Sequence, residues 1–190
     1  MKAETSTPIN DILALRRSPR SLQADHVISA SDVTALLEAA RWAPSAHNVQ
    51  PWRFFIGHRG DATFAKILSA LGEFNQMWAK NASLLVLVTG KDTKPDGTPH
   101  PAYLYDCGLA VAQLTFEAHD RGLVAHQMTG FDKEIARSVM EMPAGLNPVV
   151  VVAIGAQDSP EKLPTQMAER EVAPRQRLSL KEIVIEGLPQ

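Results

Sequence analysis

Two short runs constrain this chain more than any other feature. Leu84–Thr89 (LLVLVT) and Val149–Ala153 (VVVVA) are apolar at nearly every position. A strand with one wet face alternates apolar and polar residues. An unbroken aliphatic run has no wet face and must be covered on both sides. The segments around these runs carry helical periodicity and can supply the cover. Ser31 reads as the cap of a helix in which Val33, Leu36, Leu37 and Ala40 fall at i, i+3, i+4 and i+7. Pro101–Arg121 is apolar on most sides, as a central core helix would be, and Gly122 suits its C-terminal cap. Helices and strands alternate throughout, so the expected class is α with β around one sheet. No repeat, low-complexity tract or domain boundary interrupts residues 1–190, a length suited to one domain with a sizeable core.

The remaining elements follow from local signals. Thr7 and Pro8 read as a cap and first helical residue, and Ile9, Ile12, Leu13 and Arg16 then share a face, which brings Arg16 to that helix's C-terminal end. Trp52–Gly57 and Leu123–Gln127 read as strands, Asp61 to about Lys80 as one helix, and Asp132–Met140 as another. Lys91–His100 is a Pro/Gly/Asp-rich loop, and Ser159–Arg170 a weak helix with turn signals. Ser179–Glu182 (SLKE) has the capping-box pattern, although Ile183–Ile185 fits a strand equally well.

Composition removes several classes of function. The net charge is -2, whereas a nucleic-acid binder usually carries a basic surplus. No apolar run is long enough to span a bilayer, and the opening MKAETSTPIN lacks a signal peptide's apolar centre, so a cytoplasmic protein is expected. The one cysteine, Cys107, offers neither a disulfide framework nor a zinc cluster, and reads as an inert core thiol. There is no G-x-G-x-x-G after a strand, no Walker loop, no H-E-x-x-H and no G-x-S-x-G, and no recognisable catalytic triad. No metal site and no catalytic side chain is nominated. An enzyme built this way would leave the hard chemistry to a cofactor.

Four constellations could hold one. Arg16, Arg17, Ser18 and Arg20 place three guanidiniums and a hydroxyl at a helix end, and the rigid fork of arginine suits phosphate oxygens. The same residues could be a solvated basic turn favoured by the helix dipole. Arg175 and Arg177 form a second basic pair far away in sequence. The loop APSAHNVQPW, Ala43–Trp52, sets Ser45, His47, Asn48 and Gln50 between two prolines, as donors and acceptors for a flat polar ligand or as partners of their own backbone. His47 has no neighbouring carboxylate or nucleophile and reads as structural. Thr129-Gly130-Phe131 follows a strand, where Gly130 would allow close backbone approach to a ligand ring or make a plain turn.

With these blocks in this order the chain resembles the FMN-dependent nitroreductase family. RRSPR resembles the family's RRSxR signature, APSAHNVQPWRFF its APSxxNxQPWxF loop, and TGF and PRQRLSLKEIV two later blocks. The resemblance covers nearly the whole chain. It implies an α+β fold, with a central mixed or antiparallel sheet flanked by helices, in an intertwined homodimer holding two FMN molecules between its subunits. By the same resemblance Arg16, Arg17 and Ser18 bind the phosphate and ribityl chain, joined by Arg175 and Arg177, while Arg20 lies nearer the ring. Pro44, Ser45, Ala46 and Asn48 come from the other subunit to line the isoalloxazine. Asn75 meets the pyrimidine edge, and Thr129 and Gly130 lie beside N5. Many relatives have lysine where Trp78 stands, near that same edge.

The implied activity is hydride transfer from NADH or NADPH through flavin N5 to a small-molecule oxidant such as a nitroaromatic or quinone, in ping-pong order. The phosphate of FMN carries about -1.5 to -2 charges, which suits four or five arginines. Two alternatives share the resemblance: a flavin-binding or sensing protein with little turnover, which Trp78 keeps open, and a same-fold flavin destructase, dehalogenase or azoline oxidase. A dimer without cofactor, its arginines on the surface, is a third. No partner in nucleic acid or membrane is expected.

Overall fold

The computed structural model describes residues 2–188. Its centre is a four-stranded sheet formed by β1 (Trp52–His58), β2 (Leu84–Lys91), β3 (Val124–Met128) and β4 (Leu146–Gly155). The strands lie in the order β1-β2-β4-β3, and every neighbouring pair is antiparallel. The two aliphatic runs are thus the two inner strands, as their lack of a polar face requires. All of β2 except Lys91 is buried.

Strand alternation divides the apolar side chains between two cores. Leu84, Val86 and Val88 face one side with Val150, Val152 and Ile154, beneath α2 (Ala30–Arg41) and α5 (Tyr103–Asp120). Leu85, Leu87, Val151 and Ala153 face the other, beneath α3 (Ala62–Ala70), α4 (Glu73–Ala79), α6 (Lys133–Val139) and α7 (Thr165–Val172). A register shift after Val88 leaves Val149 as an extra residue in β4, so that Thr89 pairs with Pro148.

Caps and turns depart from the sequence reading in four places. The first helix, α1 (Asp11–Leu15), is capped by Asn10, whose side chain accepts from Ile12 N, rather than by Thr7. Ser29 rather than Ser31 caps α2, accepting from Asp32 N at 3.0 Å. The helix expected over Asp61–Lys80 breaks at Leu71 and Gly72, which take extended backbone. Leu71 bridges to Phe131, and Gly72 N donates to Gly130 O at 3.2 Å. Pro164 divides the weak helix at 159–170 into a 3-10 turn, Pro160–Lys162, and α7. The Ser179 capping box does form, and α8 (Leu180–Ile183) is the helical outcome of the two that the sequence allowed.

The tightest joint lies between β1 and α3. Asp61 accepts from His58 N at 2.9 Å and from Phe64 N at 2.6 Å, tying the strand's end to the helix's start. That closeness requires a glycine at position 57, where a Cβ would stand 2.4 Å from Phe64 N. Gly57→Ala therefore forces backbone apart, and the expected cost is about 3 kcal/mol, at the upper end for overpacking. Urea unfolding should show a lower midpoint with an unchanged m-value.

Candidate functional site

The RRSPR segment begins where α1 stops. Arg16 is the C-cap of α1 with extended backbone, and Pro19 disfavours helical geometry at Ser18 before it. The segment is then pinned from two sides. Glu171 of α7, buried, accepts from Arg20 N at 2.9 and 3.0 Å and from Ser21 N at 3.0 Å. On β3, His126 Nδ1 lies 3.1 Å from Pro19 O.

The C-terminal arginines reach the same segment. Arg175 donates to the carbonyls of Arg16 and Ala14, and Arg17 Nη2 returns a bond to Ala173 O at 2.8 Å. The two basic clusters, remote in sequence, therefore line one cavity of ≈ 220 Å³. Arg16, Arg17, Ser18, Arg20, Arg175 and Arg177 face it, with Arg170 and Glu171. Glu171 is the one acidic residue in that lining, and its oxygens are engaged by backbone N–H groups. Burial and Arg177 lower the Arg16 pKa, and burial with Arg17, Arg16 and Arg177 lowers that of Arg175. Guanidinium stays protonated in proteins, so these like charges crowd without neutralising, and an oxyanion is the ligand that would relieve them.

Arg20 extends this surface toward α4. Its guanidinium carbon stands 5.8 Å over the ring of Phe74, and its buried Nε has no hydrogen-bond partner among the described residues. Next along α4, Asn75 Nδ2 donates to Gly130 O at 3.1 Å. The break at Leu71–Gly72 makes this meeting possible, because it sets α4 against the Thr129–Phe131 turn. Thr129 and Gly130 are exposed there. A Cβ on Gly130 would sit 3.2 Å from the Asn75 amide nitrogen.

Pro44, Ser45, Ala46 and Asn48 are elsewhere in the chain. None of them lines the arginine cavity. Their loop crosses the start of α5, where Ala46 N stands 3.3 Å from each Asp106 oxygen. It includes a 3-10 turn, Ala46–Asn48, and His47, Asn48 and Gln50 have φ of 53°, 55° and 50°. Left-handed backbone is uncommon outside glycine, and three such residues in four mark a shape held by its surroundings.

Three features were not legible in the sequence. Glu171 clamps the RRSPR backbone, His100 pairs with Asp106 under the loop, and His126 supports Pro19. Only His126 left a trace, as a polar residue in the strand VAHQM. Trp78 also lies otherwise than expected at a ligand's edge. Its side chain is 1% exposed, packed in the second core with its ring centroid 4.6 Å from that of His126. Cys107 is buried, and burial with the neighbouring Asp106 pushes its thiol up to about 12, as inertness requires.

Comparison with known proteins is consistent with this arrangement. The family model described as "Nitroreductase family" matches residues 13–83, which include both RRSPR and the Pro44–Asn48 loop. A protein of Archaeoglobus fulgidus, provisionally named an NADH dehydrogenase/NAD(P)H nitroreductase, is 31% identical over 144 residues, covering 74% of this chain and 80% of its own. The 15.4 kDa protein in the ask 5′ region of Mycolicibacterium smegmatis is 37% identical over 143 residues, covering 71% of this chain and 95% of its own. A crystal structure described as an oxidoreductase containing FMN is 34% identical, with a TM-score of 0.92 over 98% of this chain and 95% of the other. The chain belongs to the nitroreductase family.

In this member of the family no helix among the described residues is long and apolar enough to cross a membrane. His126 makes the arginine segment sensitive to acid. Burial, the largest influence, and Arg20 lower its pKa from 6.5 to about 4, against the opposing bond to Pro19. The ring is neutral at pH 7 and donates from Nδ1. The unfolded chain takes up this proton first as pH falls, so the contribution is complete above pH 6.5 and is lost between 6.5 and about 4. That loss reaches about 3 kcal/mol. Urea titrations at pH 7.5, 5.5 and 4.5 should show it, and His126→Gln, which keeps a donor for Pro19 O, should flatten the pH slope by that amount. An unaltered slope would exclude His126 as the titrating group.

Proposed function

We propose that this nitroreductase is an NAD(P)H-dependent FMN oxidoreductase, working as a single-domain homodimer on small-molecule oxidants in the cytoplasm. The convergence of Arg16, Arg17, Ser18, Arg175 and Arg177, remote in sequence, on one cavity is the observation that carries this reading. The donor set fits a phosphate monoester: forked guanidiniums, the Ser18 hydroxyl and the unpartnered Nε of Arg20 toward the ring. FMN supports the choice of ligand because a relative at 34% identity is described as containing it.

Each residue then has a role of its own. Arg16, Arg17, Ser18, Arg175 and Arg177 bind the phosphate and ribityl end. Arg20 lies beside the ring, where its charge favours electron density at the pyrimidine edge, and Asn75 offers that edge its amide. Thr129 and Gly130, exposed at their turn, would lie beside N5 of a bound flavin. When bound, FMN would accept hydride at N5 from NADH or NADPH and pass the electrons to a nitroaromatic, quinone or similar acceptor. Pro44, Ser45, Ala46 and Asn48 complete the site from a second copy, since within one chain they stand apart from the arginines. A second copy also covers the exposed apolar side chains Leu178, Leu180, Ile183 and Ile185 of the C-terminal segment, and Leu104 and Tyr105 of α5.

The visible absorption spectrum of the purified protein, before and after anaerobic NADPH, tests this reading. Flavin bands that bleach are expected. Bands that persist with both NADPH and NADH would indicate flavin binding without turnover, and no bands after incubation with excess FMN would overturn the reading. The double variant Arg16→Ala/Arg177→Ala removes two charge-assisted partners at about 1.5 kcal/mol or more each, so its FMN dissociation constant should rise at least about 100-fold.

A further inference from the structure

We propose that Asp106, oriented by His100, is a positioning residue that holds the Pro44–Gln50 loop in its ligand-facing shape. This rests on the flavin reading above, because it assigns a cause to the geometry of residues that would line the ring.

The pair is buried deeply for such polar groups. His100 is 2% exposed and Asp106 1%, and His100 Nε2 lies 2.9 Å from Asp106 Oδ2. Around them are Thr89 and Cys107, both at 0% exposure. Buried polar groups require partners, and the partner on the far side of Asp106 is the Ala46 N–H, 3.3 Å from both carboxylate oxygens. Asp106 therefore links α5 to the loop just before its left-handed residues. Ala46 immediately precedes His47 and Asn48, the first two left-handed residues. Within the loop, the Ser45 hydroxyl accepts from Gln50 N at 3.1 Å and closes the third.

His100 is itself fixed. Its N–H donates to Asp92 O at 2.7 Å, and its carbonyl accepts from Tyr103 N at 3.2 Å. Asp92 in turn accepts from Asn147 Nδ2 at 2.9 Å. The imidazole thus arrives from a backbone braced against β4, and it leaves the carboxylate one orientation toward Ala46. Gly90 admits this packing, since a Cβ there would stand 2.7 Å from the Tyr103 ring and 2.9 Å from Cys107 Sγ. The chain Asn147–Asp92–His100–Asp106–Ala46 carries the position of the sheet to the loop. None of these side chains needs to touch the ligand.

The test compares Asp106→Ala, Asp106→Asn and His100→Gln with a control, Ile67→Ala, in the second core away from the loop. Amide hydrogen exchange at residues 44–50 is measured on each without flavin, and FMN affinity and the KM-to-kcat split on each with it. Asp106→Ala should exchange Ala46 at least 10-fold faster and bind FMN at least 10-fold more weakly. Asp106→Asn, which keeps an acceptor of the same shape, should restore most of both. His100→Gln should show the same two changes to a smaller degree. Ile67→Ala should lower the melting temperature and change neither. If Ala46 exchange in His100→Gln matches wild type and Asp106→Ala behaves as the core control, the pair only stabilises the fold and the proposal fails. Should Asp106→Ala not fold, His100→Gln decides by the same criterion. The exchange measurement requires no flavin, so it judges the loop even where a colourless wild type has already overturned the flavin reading.

Discussion

Everything in this molecule hangs on the absence of a wet face on the inner strands. β2 and β4 expose almost nothing, so each requires helices on both sides, and the fold is three layers deep at its centre. Full burial of a branched aliphatic side chain contributes about 1.5–3 kcal/mol. The inner strands provide nine such residues divided between two cores. Register is correspondingly rigid: a slip by one residue would exchange the two cores' side chains, and their cavities differ in shape. Each layer can therefore carry loops and ends at fixed positions.

The candidate site uses that rigidity at its least stable point. Six guanidiniums around one small cavity repel one another, and partial burial raises the cost. Backbone groups and carbonyls hold the segment in place. Glu171 takes the N–H groups of Arg20 and Ser21, His126 meets Pro19 O, and Arg175 and Arg17 donate to main-chain oxygens. Carbonyl partners orient a guanidinium without cancelling its charge. A guanidinium bound to a carbonyl keeps the charge that an oxyanion needs. The arrangement favours binding over stability, as functional sites commonly do.

How much of this could be read from the sequence depends on the range of each interaction. The inner strands, α5 and the arginine clusters rest on local pattern, and the structure has the two strands and α5 within three residues of their expected ends. The break at Leu71–Gly72 was not legible. A run such as ILSALGEF tolerates a glycine within a helix, and only the bridge to Phe131 and the bond to Gly130 O make the extended conformation the better one. Trp78 illustrates the same limit. The resemblance set Trp78 where many relatives have lysine, near a ligand's edge, but its indole packs in the second core against His126. Glu171 and the His100–Asp106 pair depend on contacts spanning 150 and 60 residues, between parts of the chain that carry no mutual signal.

The separation of the loop from the arginines within one chain is the strongest structural argument for a shared site. The loop is anchored on the first core through Asp106, at the start of α5. The arginines are anchored through Glu171 and His126, which belong to α7 and β3. On the proposed reading, a ring-and-phosphate ligand that uses both sets would be met by the loop of one copy and the arginines of another. The cost of holding two left-handed residues in sequence at His47 and Asn48 is understandable on that basis. Loop geometry fixed within each subunit before assembly removes an ordering penalty from association, which leaves more of the interface energy available for affinity.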